Sequence, residues 1–600
     1  MADYTAPLRD TIFNLEHVLR LPDHAAKPGF EALDADMIEP ILSEAGKFAA
    51  EVFAPLNEVG DRQGCTRHED GSVTVPEGFA NAYRQMCEGG WTTLTAPEAY
   101  GGQALPHAIG VAVEEFLSGA NMSLAMYPGL TDGAIRAVVA RGSDEQKATY
   151  LAKLTSGEWT GTMNLTEPHA GTDLGLLRTR AEPNGDGSFA ITGTKIFISC
   201  GEHDMAGNIV HLVLARLPDA PKGSKGISMF IVPKFIPDEN GEPGERNSLS
   251  CGSIEEKMGI HGSCTCVMNY DGAKGWLIGG EHQGLAAMFI MMNAARLWVG
   301  LQGLGQAEVA YQNGASYALD RRQGRALTGP QEPEQSADLL VVHPDVRRLL
   351  MDARAKTEGL RALILWTGLL TDLAHHAESE DERVQADDLI QLLTPVVKAV
   401  GTDWGYEVST QMQQVWGGHG YIAENGMEQF VRDARIAMIY EGANGIQAMD
   451  LVGRKLPMKG GRAIQSFLAL VDGEIAEAGS EPAAAEIAEA LGKANGELKA
   501  AAMWLMQNAP ENPDNAGAAA YMLMDILGLV AVGLMWLRMA KAAAAALEAG
   551  ESDKAFMEAK LLCARHFAQG HLPDAGALRR KLQAGAEVIM AMPAESFLRA

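Results

Sequence analysis

A block of short β-branched segments lies between two long regions of helical pattern, and this order limits the fold more than any other feature. Between residues 158 and 280, the runs Phe189–Ser199, Asn208–Ala215 and Ile227–Pro233 favour strands and are separated by turn residues. No helical pattern lies between these runs, so a parallel nucleotide-binding sheet is disfavoured. The sequence predicts an antiparallel β domain here.

Apolar residues at three-to-four spacing fill the flanking regions and predict helices. We therefore expect an α+β protein with a helical domain at 1–157, a β domain at 158–280, a catalytic helical bundle at 281–459 and a C-terminal helical extension at 460–600. A polar loop is predicted at 323–342. The predicted helices are Thr11–Leu21, Asp36–Phe53, Ala108–Ser118, Gly133–Ala140, Gly284–Ala318, 344–376, 386–415, 446–457, 461–478, 482–505, 515–548 and 552–570.

Length, charge and cysteine content narrow the class of protein. A chain of 600 residues is too long for a single core, and its net charge of −28 argues against nucleic acid or an anionic membrane as partner. Seven scattered cysteines, an odd number, are typical of a reducing compartment. The N-terminus has no basic segment followed by an apolar one, so we expect no signal or transit peptide and a cytoplasmic protein.

Two local features resemble other kinds of segment but lack the rest of the pattern. The apolar run Ile526–Leu537 is shorter than the ~18–20 residues that span a bilayer, so we predict a buried helix and no membrane span. The pair Cys264-Thr265-Cys266 has the look of a metal-ligand pair, but no second pair or histidine cluster completes a tetrahedral site. We predict no metal.

One carboxylate, Glu441, follows an apolar segment and precedes Gly442-Ala443-Asn444-Gly445. Helical spacing resumes downstream, which places Glu441 on a loop just before a helix, where unpaired backbone N–H groups can bind a polar ligand. A carboxylate between an apolar segment and a cofactor would have a raised pKa and could act as a base near neutral pH. The alternative is an exposed loop glutamate, which is the commoner case.

Two further stretches suit a ligand. Met163–Asp173 is rich in small and hydroxyl residues, as in a loop that offers N–H and O–H donors. In Lys195–Ser199, Phe197 is suited to stack on a planar ring and Ser199 to donate a hydrogen bond to it. Taken alone, each stretch is more typical of a turn or a core strand. The GxGxxG, GxxxxGK[ST] and HExxH motifs do not occur.

Taken together and in this order, the three segments resemble the acyl-CoA dehydrogenase family. That family has a Thr-Glu-Pro-x-Ala-Gly-Ser/Thr-Asp loop, then an aromatic-x-Thr/Ser strand, then Arg-Asp-Ala-x-Ile followed by Ile-Tyr-Glu-Gly. The segments that begin at Pro97, Lys257 and Tyr317 also match, and the resemblance covers residues 40 to about 457. The N-terminal Tyr4-x-Ala-Pro-Leu-x-Asp and the long helical tail are similar to a larger subgroup, which includes enzymes acting on 3-(methylthio)propanoyl-CoA.

The resemblance implies a role for individual residues. Glu441 corresponds to the base that removes the α-proton of the acyl thioester. The chain departs from the family at Gly445, where glutamine is usual, at Ala443, often threonine, at Asn293, usually an acid, and at Gly324, usually aromatic. FAD contacts are implied for Met163, Leu165, Thr166, Gly171, Thr172, Phe197, Ile198, Ser199, Arg321, Gln323, Gln414, Gly418, Ala443 and Gly445, and substrate contacts for Thr172, Asn293, Arg296 and Gly442.

The resemblance also implies the reaction and its partners. We expect FAD as cofactor, an acyl-CoA substrate such as 3-(methylthio)propanoyl-CoA, electron-transfer flavoprotein as electron acceptor and a homo-oligomer, expected to be a dimer. Dehydrogenation of other short- to long-chain fatty acyl-CoAs, an acyl-CoA oxidase of the same fold and a non-catalytic acyl-CoA-binding scaffold are the alternatives. Flavin colour separates the scaffold from the enzymes, and peroxide production separates the oxidase from the dehydrogenase.

Overall fold

A computed structural model describes residues 3–479, 481–550 and 553–598. The chain forms two compact units. The helical unit comprises Met1–Ser43, Pro106–Glu115 and Val299–Ala600, and the mixed unit comprises Glu44–Leu105 and Phe116–Trp298. Helices and one large sheet occur together, so the predicted α+β class is confirmed.

The helices and strands follow the predicted order. The α-helices in the described residues are α1 (Leu8–Phe13), α2 (Ile38–Phe48), α3 (Asn57–Gln63), α4 (Phe79–Glu88), α5 (His107–Ala120), α6 (Met122–Arg141), α7 (Asp144–Thr155), α8 (Gly284–Asp320), α9 (Pro344–His376), α10 (Glu380–Trp416), α11 (Met427–Ala437), α12 (Asn444–Asp450), α13 (Arg462–Ala478), α14 (Ala485–Asn508), α15 (Asp514–Ala549), α16 (Lys554–Gly570), α17 (Asp574–Leu582) and α18 (Glu587–Ala591). The strands there are β1 (Thr66–Arg67), β2 (Val73–Thr74), β3 (Trp159–Asn164), β4 (Arg180–Pro183), β5 (Phe189–Ser199), β6 (Asn208–Arg216), β7 (Ile227–Pro233), β8 (Phe235–Pro237), β9 (Pro243–Arg246), β10 (Leu249–Ile254) and β11 (Thr265–Ile278).

The mixed unit contains a seven-stranded sheet of order β10-β11-β5-β4-β6-β3, in which β7 pairs with both β6 and β11. Most pairs are antiparallel, as predicted, but β3 runs parallel to β6 along its whole length, and β4 meets β6 in parallel at one residue. Between β3 and β6 the chain forms the antiparallel pair β4–β5, which returns the chain so that β6 can run parallel to β3. A parallel pair therefore forms without the helical crossover that the sequence argument required.

Helix α6 covers the edge strand β3 of this sheet. Gly161 lies so close to the helix that a Cβ there would be 2.4 Å from the Cβ of Ala134. The helix begins eleven residues before the predicted Gly133, because the side chain of Asn121 accepts a hydrogen bond from the N–H of Leu124 and caps it. Pro128 lies inside the helix, and this residue type normally signals a break.

The helical unit is built around the long helices α8, α9 and α10. Their facing sides form a core of small and apolar residues that includes Ala310, Ala353 and Val408, and Phe430 of α11 joins it. Helix α10 continues through Pro395 without ending. The tail helices α13 to α17 belong to the same unit, and α15 packs against α9, α10 and α12 as well as against its tail neighbours.

Close contacts join the tail to α9 and α10. A Cβ on Gly528 of α15 would lie 2.6 Å from Val400 of α10, and the indole N–H of Trp536 donates to the carbonyl of Ala355, 3.0 Å away. Among the described residues, helices α8 and α15 are long and apolar enough to cross a membrane, judged by length and composition alone. In their most apolar stretches, 56% and 78% of the stretch is buried within the protein. The apolar side chains of α15 from Ile526 to Leu537 therefore contact protein.

Candidate active site

Glu441 occupies the turn between α11 and α12, as the sequence predicts. Its φ of +56° lies in the left-handed region, and the φ of Gly442 that follows is +87°. This conformation strains a non-glycine residue. The strain persists only where the surrounding structure holds the residue in place, and such positions concentrate at functional sites. The glutamate is partly buried rather than fully exposed, so it is not the freely exposed loop residue of the alternative interpretation.

Hydrogen bonds from the start of α12 hold this turn. The N–H of Asn444 donates to the carbonyl of Met438 at 3.1 Å, which closes the turn around Glu441. The side-chain amide of Gln447, which is buried, donates to the carbonyls of both Glu441 and Gly442 at 3.1 Å. The main chain on the C-terminal side of Glu441 is therefore fixed by the N–H of Asn444 and by the side chain of Gln447, which the sequence motif did not single out.

The residue before the glutamate is a partly buried tyrosine. The hydroxyl of Tyr440 donates to the side-chain oxygen of Gln302 on α8. Burial, and next the negative charge of Glu441, raise the pKa of Tyr440 well above its usual value. Tyr440 therefore stays a neutral hydrogen-bond donor beside the carboxylate.

In the mixed unit, the two predicted flavin-facing stretches contact each other directly. The N–H of Ile196 donates to the carbonyl of Thr166 at 2.9 Å, and the hydroxyl of Thr162 donates to the carbonyl of Ser199 at 2.7 Å. Gly171 and Thr172 lie exposed at the end of the loop, whereas Met163 is buried in β3 and Leu165 is partly buried. The structure thus brings together segments that are about 30 residues apart in the sequence.

A buried ion pair, which the sequence analysis missed, joins these stretches. Lys195 donates to Glu167 at 2.9 Å and to the carbonyl of Leu165 at 2.9 Å. Burial alone would raise the pKa of Glu167, but Lys195 and the hydrogen bonds from Thr179 and from the N–H of Arg178 lower it to about 2. The signal was available in the sequence, because a carboxylate and a lysine occur inside the two motifs.

Phe197 lies on β5 in an unusual conformation for an aromatic residue. Its φ is +58° and its side chain is 60% exposed, at an irregularity in the pairing of β5 with β11. The next side chain, Ile198, is only 2% exposed and packs in the core, so it offers no side-chain surface to a ligand. An exposed ring held on a rigid strand, next to hydroxyl donors, fits a planar aromatic cofactor such as an isoalloxazine.

Other predicted cofactor contacts lie exposed on the helical unit. They are Arg321, Gln323, Gln414, Gly418 and Gly445, while Ala443 is partly buried. A Cβ at Gly418 or Gly445 would meet no atom within 4 Å, so both glycines border open space.

The predicted polar loop after α8 is ordered around a buried carboxylate that the sequence analysis did not identify. Asp338 accepts hydrogen bonds from the N–H groups of Ala326 and Glu332, each at 2.9 Å, and from that of Gln331 at 3.0 Å. The main chain of Asp338 also pairs with that of Gln323 and Gly324.

The predicted substrate contacts on α8 differ in exposure. Asn293 is exposed, whereas Arg296 is only 4% exposed and lies over the ring of Phe289. Gly442 is partly buried in the turn beside Glu441.

Two groups of side chains have residue types that can bind a metal ion: the cysteine pair and a group that contains two histidines. Cys264 and Cys266 are buried free thiols, and Cys264 donates to the carbonyl of Glu202. In the helical unit, Asp352, His566 and His571 bring three ligand atoms within 4.8 Å of one another. Arg348 also binds Asp352 at 2.9 Å, so this carboxylate already lies beside a guanidinium group.

Four family models match successive parts of the chain. The N-terminal, middle and C-terminal domain models of the acyl-CoA dehydrogenases match residues 38–158, 162–273 and 282–456. A model described as acetyl-CoA dehydrogenase C-terminal like matches the tail, residues 463–593.

Curated relatives and solved structures agree with these models. The chain is 45% identical over 577 residues to 3-methylmercaptopropionyl-CoA dehydrogenase of Ruegeria pomeroyi, covering 96% of this chain and 97% of the relative. It is 36% identical to the broad-specificity linear acyl-CoA dehydrogenase FadE5 of Mycobacterium tuberculosis, covering 96% of each. A crystal structure of acyl-CoA dehydrogenase complexed with FAD from Bacillus anthracis superposes with a TM-score of 0.73 at 22% identity, over 94% of this chain and 90% of that one. The chain therefore belongs to the acyl-CoA dehydrogenase family of FAD-dependent oxidoreductases.

Proposed function

We propose that this enzyme removes one hydrogen from each of Cα and Cβ of an acyl-CoA thioester, with Glu441 as the base that takes the α-proton. The observation that carries the proposal is the conformation of Glu441. The carboxylate stands at a left-handed position, and buried hydrogen bonds from Asn444 and Gln447 fix the main chain around it. A base must be held in place to be effective, because a displacement of about 1 Å can cost ~10²-fold in rate.

Besides the base, the reaction needs hydrogen-bond donors to the thioester oxygen and an acceptor for the hydride. The α-proton of a thioester is too weakly acidic for an unaided carboxylate, so the negative charge that develops on the thioester oxygen needs preorganised donors. We assign the backbone N–H of Glu441 to this role, by resemblance to the family. When bound, FAD accepts the hydride from Cβ.

We assign the cofactor contacts to residues that are exposed or partly exposed on each unit. Phe197 would lie against the flavin ring, and Thr166 and Ser199 would donate to its polar edge. Gly171 and Gly418 border open space, which leaves room for a bulky ligand close to the backbone. Arg321, Gln323 and Gln414 offer donors for the remaining polar groups of the cofactor.

We propose 3-(methylthio)propanoyl-CoA as the substrate, on the strength of the 45% identical relative that carries this activity in its name. The 36% identical relative named for broad specificity favours a second candidate, linear fatty acyl-CoAs. The test is anaerobic titration of the purified enzyme with a panel of acyl-CoAs. We expect the thioether substrate to bleach the flavin at the lowest concentration. Equal bleaching by butanoyl-CoA and longer chains would favour the second candidate, and no bleaching by any of them would refute the dehydrogenase.

We also propose a homo-oligomer, expected to be a dimer, that passes electrons to electron-transfer flavoprotein. Arg321 and Gln323 correspond by resemblance to residues that reach the FAD of a neighbouring subunit. Leu327 and Tyr421 in the helical unit are 90% and 81% exposed, and an oligomer contact at either residue would remove apolar surface from water. Light scattering that finds an active, flavin-loaded monomer would refute the oligomer, and rapid peroxide formation in air would favour the oxidase.

A further inference from the structure

The tail helix α15 contacts the turn of Glu441 through a chain of hydrogen bonds. The hydroxyl of Tyr521 on α15 donates to one oxygen of Asp403 on α10, at 2.5 Å. The other oxygen of Asp403 accepts from the side-chain amide of Asn444, at 2.8 Å. Asn444 is the first residue of α12 and follows Glu441 by three positions.

Asn444 forms hydrogen bonds with several neighbours besides Asp403. Its side-chain oxygen accepts from the ammonium group of Lys398 at 2.8 Å, and both residues are buried. Its amide also donates to the hydroxyl of Thr402 at 3.0 Å. Its own N–H closes the turn on Met438. The residue that fixes the main chain of Glu441 is therefore itself fixed by α10, and one of its anchors there depends on the tail.

We infer that Tyr521 is a positioning residue for the α-proton abstraction, acting through Asp403 and Asn444 on Glu441. Tyr521 and Asn444 bind different oxygens of the same Asp403 carboxylate, so the tyrosine hydroxyl helps to hold this carboxylate against Asn444. The tail thereby contributes to chemistry as well as to stability. This inference rests on the proposed role of Glu441 as the base.

The central test compares Tyr521→Phe with a matched control in the full-length, flavin-loaded enzyme. The substitution removes one hydroxyl and keeps the ring. The control is Tyr83→Phe, which removes a tyrosine hydroxyl that donates to the carbonyl of Gly157 at 2.9 Å in the mixed unit. Both variants lose one hydrogen bond, but only the first loses a contact to the turn of Glu441.

We expect Tyr521→Phe to lower kcat about ten-fold while KM changes less than about two-fold, because the base is misplaced and substrate binding is not. The isotope effect on kcat with α,α-dideuterated 3-(methylthio)propanoyl-CoA or butanoyl-CoA should rise, since proton abstraction becomes slower relative to the other steps. Flavin content should match that of Tyr83→Phe. An unchanged isotope effect, or a loss of kcat no larger than that of the control, would overturn the inference.

A second variant tests whether the residues act as one chain. Asp403→Asn should lower kcat in the same way, and the Tyr521→Phe/Asp403→Asn double variant should be no slower than the slower single variant, because neighbours in one network are not additive. Losses that multiply would contradict the chain of contacts. Glu441→Gln separates the two proposals: if it retains turnover, the proposed base is wrong, whereas if it is inactive and Tyr521→Phe is normal, only this inference fails.

Discussion

Glu167 and Lys195 form an ion pair that water hardly reaches, at the point where the predicted flavin loop meets β5. The low pKa of Glu167 means that this group stabilises the fold above its unfolded-state pKa of about 4.5, and that the contribution is lost as the pH falls toward 2. Removing one partner of such a pair leaves a buried charge without compensation.

Lys195→Met should lower the free energy of unfolding by about 3–5 kcal/mol, the range found when one partner of a buried pair is removed. FAD occupancy should fall with it, because the loop loses its link to β5. Urea denaturation at pH 7 checks the first expectation and flavin absorbance the second. The control is Lys493→Met, which breaks an exposed ion pair with Glu489 and should change stability by less than about 1 kcal/mol. Equal effects of the two variants would contradict the assignment.

Asp525 on α15 is a second residue whose charge has a predictable effect. Burial, and next the charge of Asp403, raise its pKa to about 7. A carboxyl group with a raised pKa in the folded state costs stability progressively as the pH rises from about 4 to about 7. Asp525→Asn should therefore be more stable than the wild type at pH 8 by about 2–3 kcal/mol, with little difference near pH 4. A pH-independent difference in urea midpoint would contradict this, and the exposed Asp514→Asn is the control.

At the scale of elements, the loop between α8 and α9 owes its shape to one carboxylate. Three N–H groups that donate to Asp338 would lose their acceptor in Asp338→Ala. We expect faster amide hydrogen exchange over residues 321–338 and a weaker oligomer, because Arg321 and Gln323 begin this segment. Hydrogen–deuterium exchange and light scattering measure these. Glu334→Ala changes an exposed acid in the same loop and should have neither effect. A protected loop in Asp338→Ala would be the contrary result.

Regular elements could be predicted wherever one periodicity runs without interruption. Strand β5 and helix α9 have the predicted bounds, and the tail helices differ by a few residues at their ends. The start of α6 was missed because the cap at Asn121 outweighs the proline inside the helix. The parallel pairing of β3 with β6 was missed because strand order depends on contacts between segments 44 residues apart, which local patterns do not report.

The motifs predict Glu441 as the base and two stretches as flavin-facing, but they do not predict which residues hold these segments in place. Gln447 and Asp338 each form several hydrogen bonds with nearby main chain, and Lys195 links segments about 30 residues apart. No periodicity marks such partners. The sequence therefore predicts candidate residues for the chemistry. The supporting residues became visible only when the fold brought them together.

At the scale of the whole molecule, the tail is tied to the rest of the helical unit by charge as well as by apolar packing. Lys560 of α16 is fully buried and binds Asp10 and Glu358, the latter at 2.8 Å. Arg361 binds Asp10, Glu115 and Glu308 beside it. Loss of the tail would remove the Lys560 ammonium group from Asp10 and Glu358.

Truncation after Lys459 should therefore cause aggregation or loss of FAD, because it exposes apolar helix faces and removes Lys560. Size-exclusion chromatography with flavin absorbance measures both. A shorter truncation after Ala586 is the control, since residues 587–598 are exposed and should be dispensable. A tail-less enzyme that is soluble, assembled and fully active would contradict this account of the tail, as would flotation of the intact protein with membranes.

The central claim, that Glu441 removes the α-proton while FAD accepts the hydride, is tested most directly by the rate of anaerobic flavin reduction in Glu441→Gln. Glutamine keeps the shape of the side chain and removes its basic oxygen. Stopped-flow mixing with 3-(methylthio)propanoyl-CoA should show normal FAD content and reduction at least ~10²-fold slower than in the wild type, as expected for lost general-base catalysis. Reduction at a near-normal rate by a fully flavin-loaded Glu441→Gln enzyme would contradict the assignment.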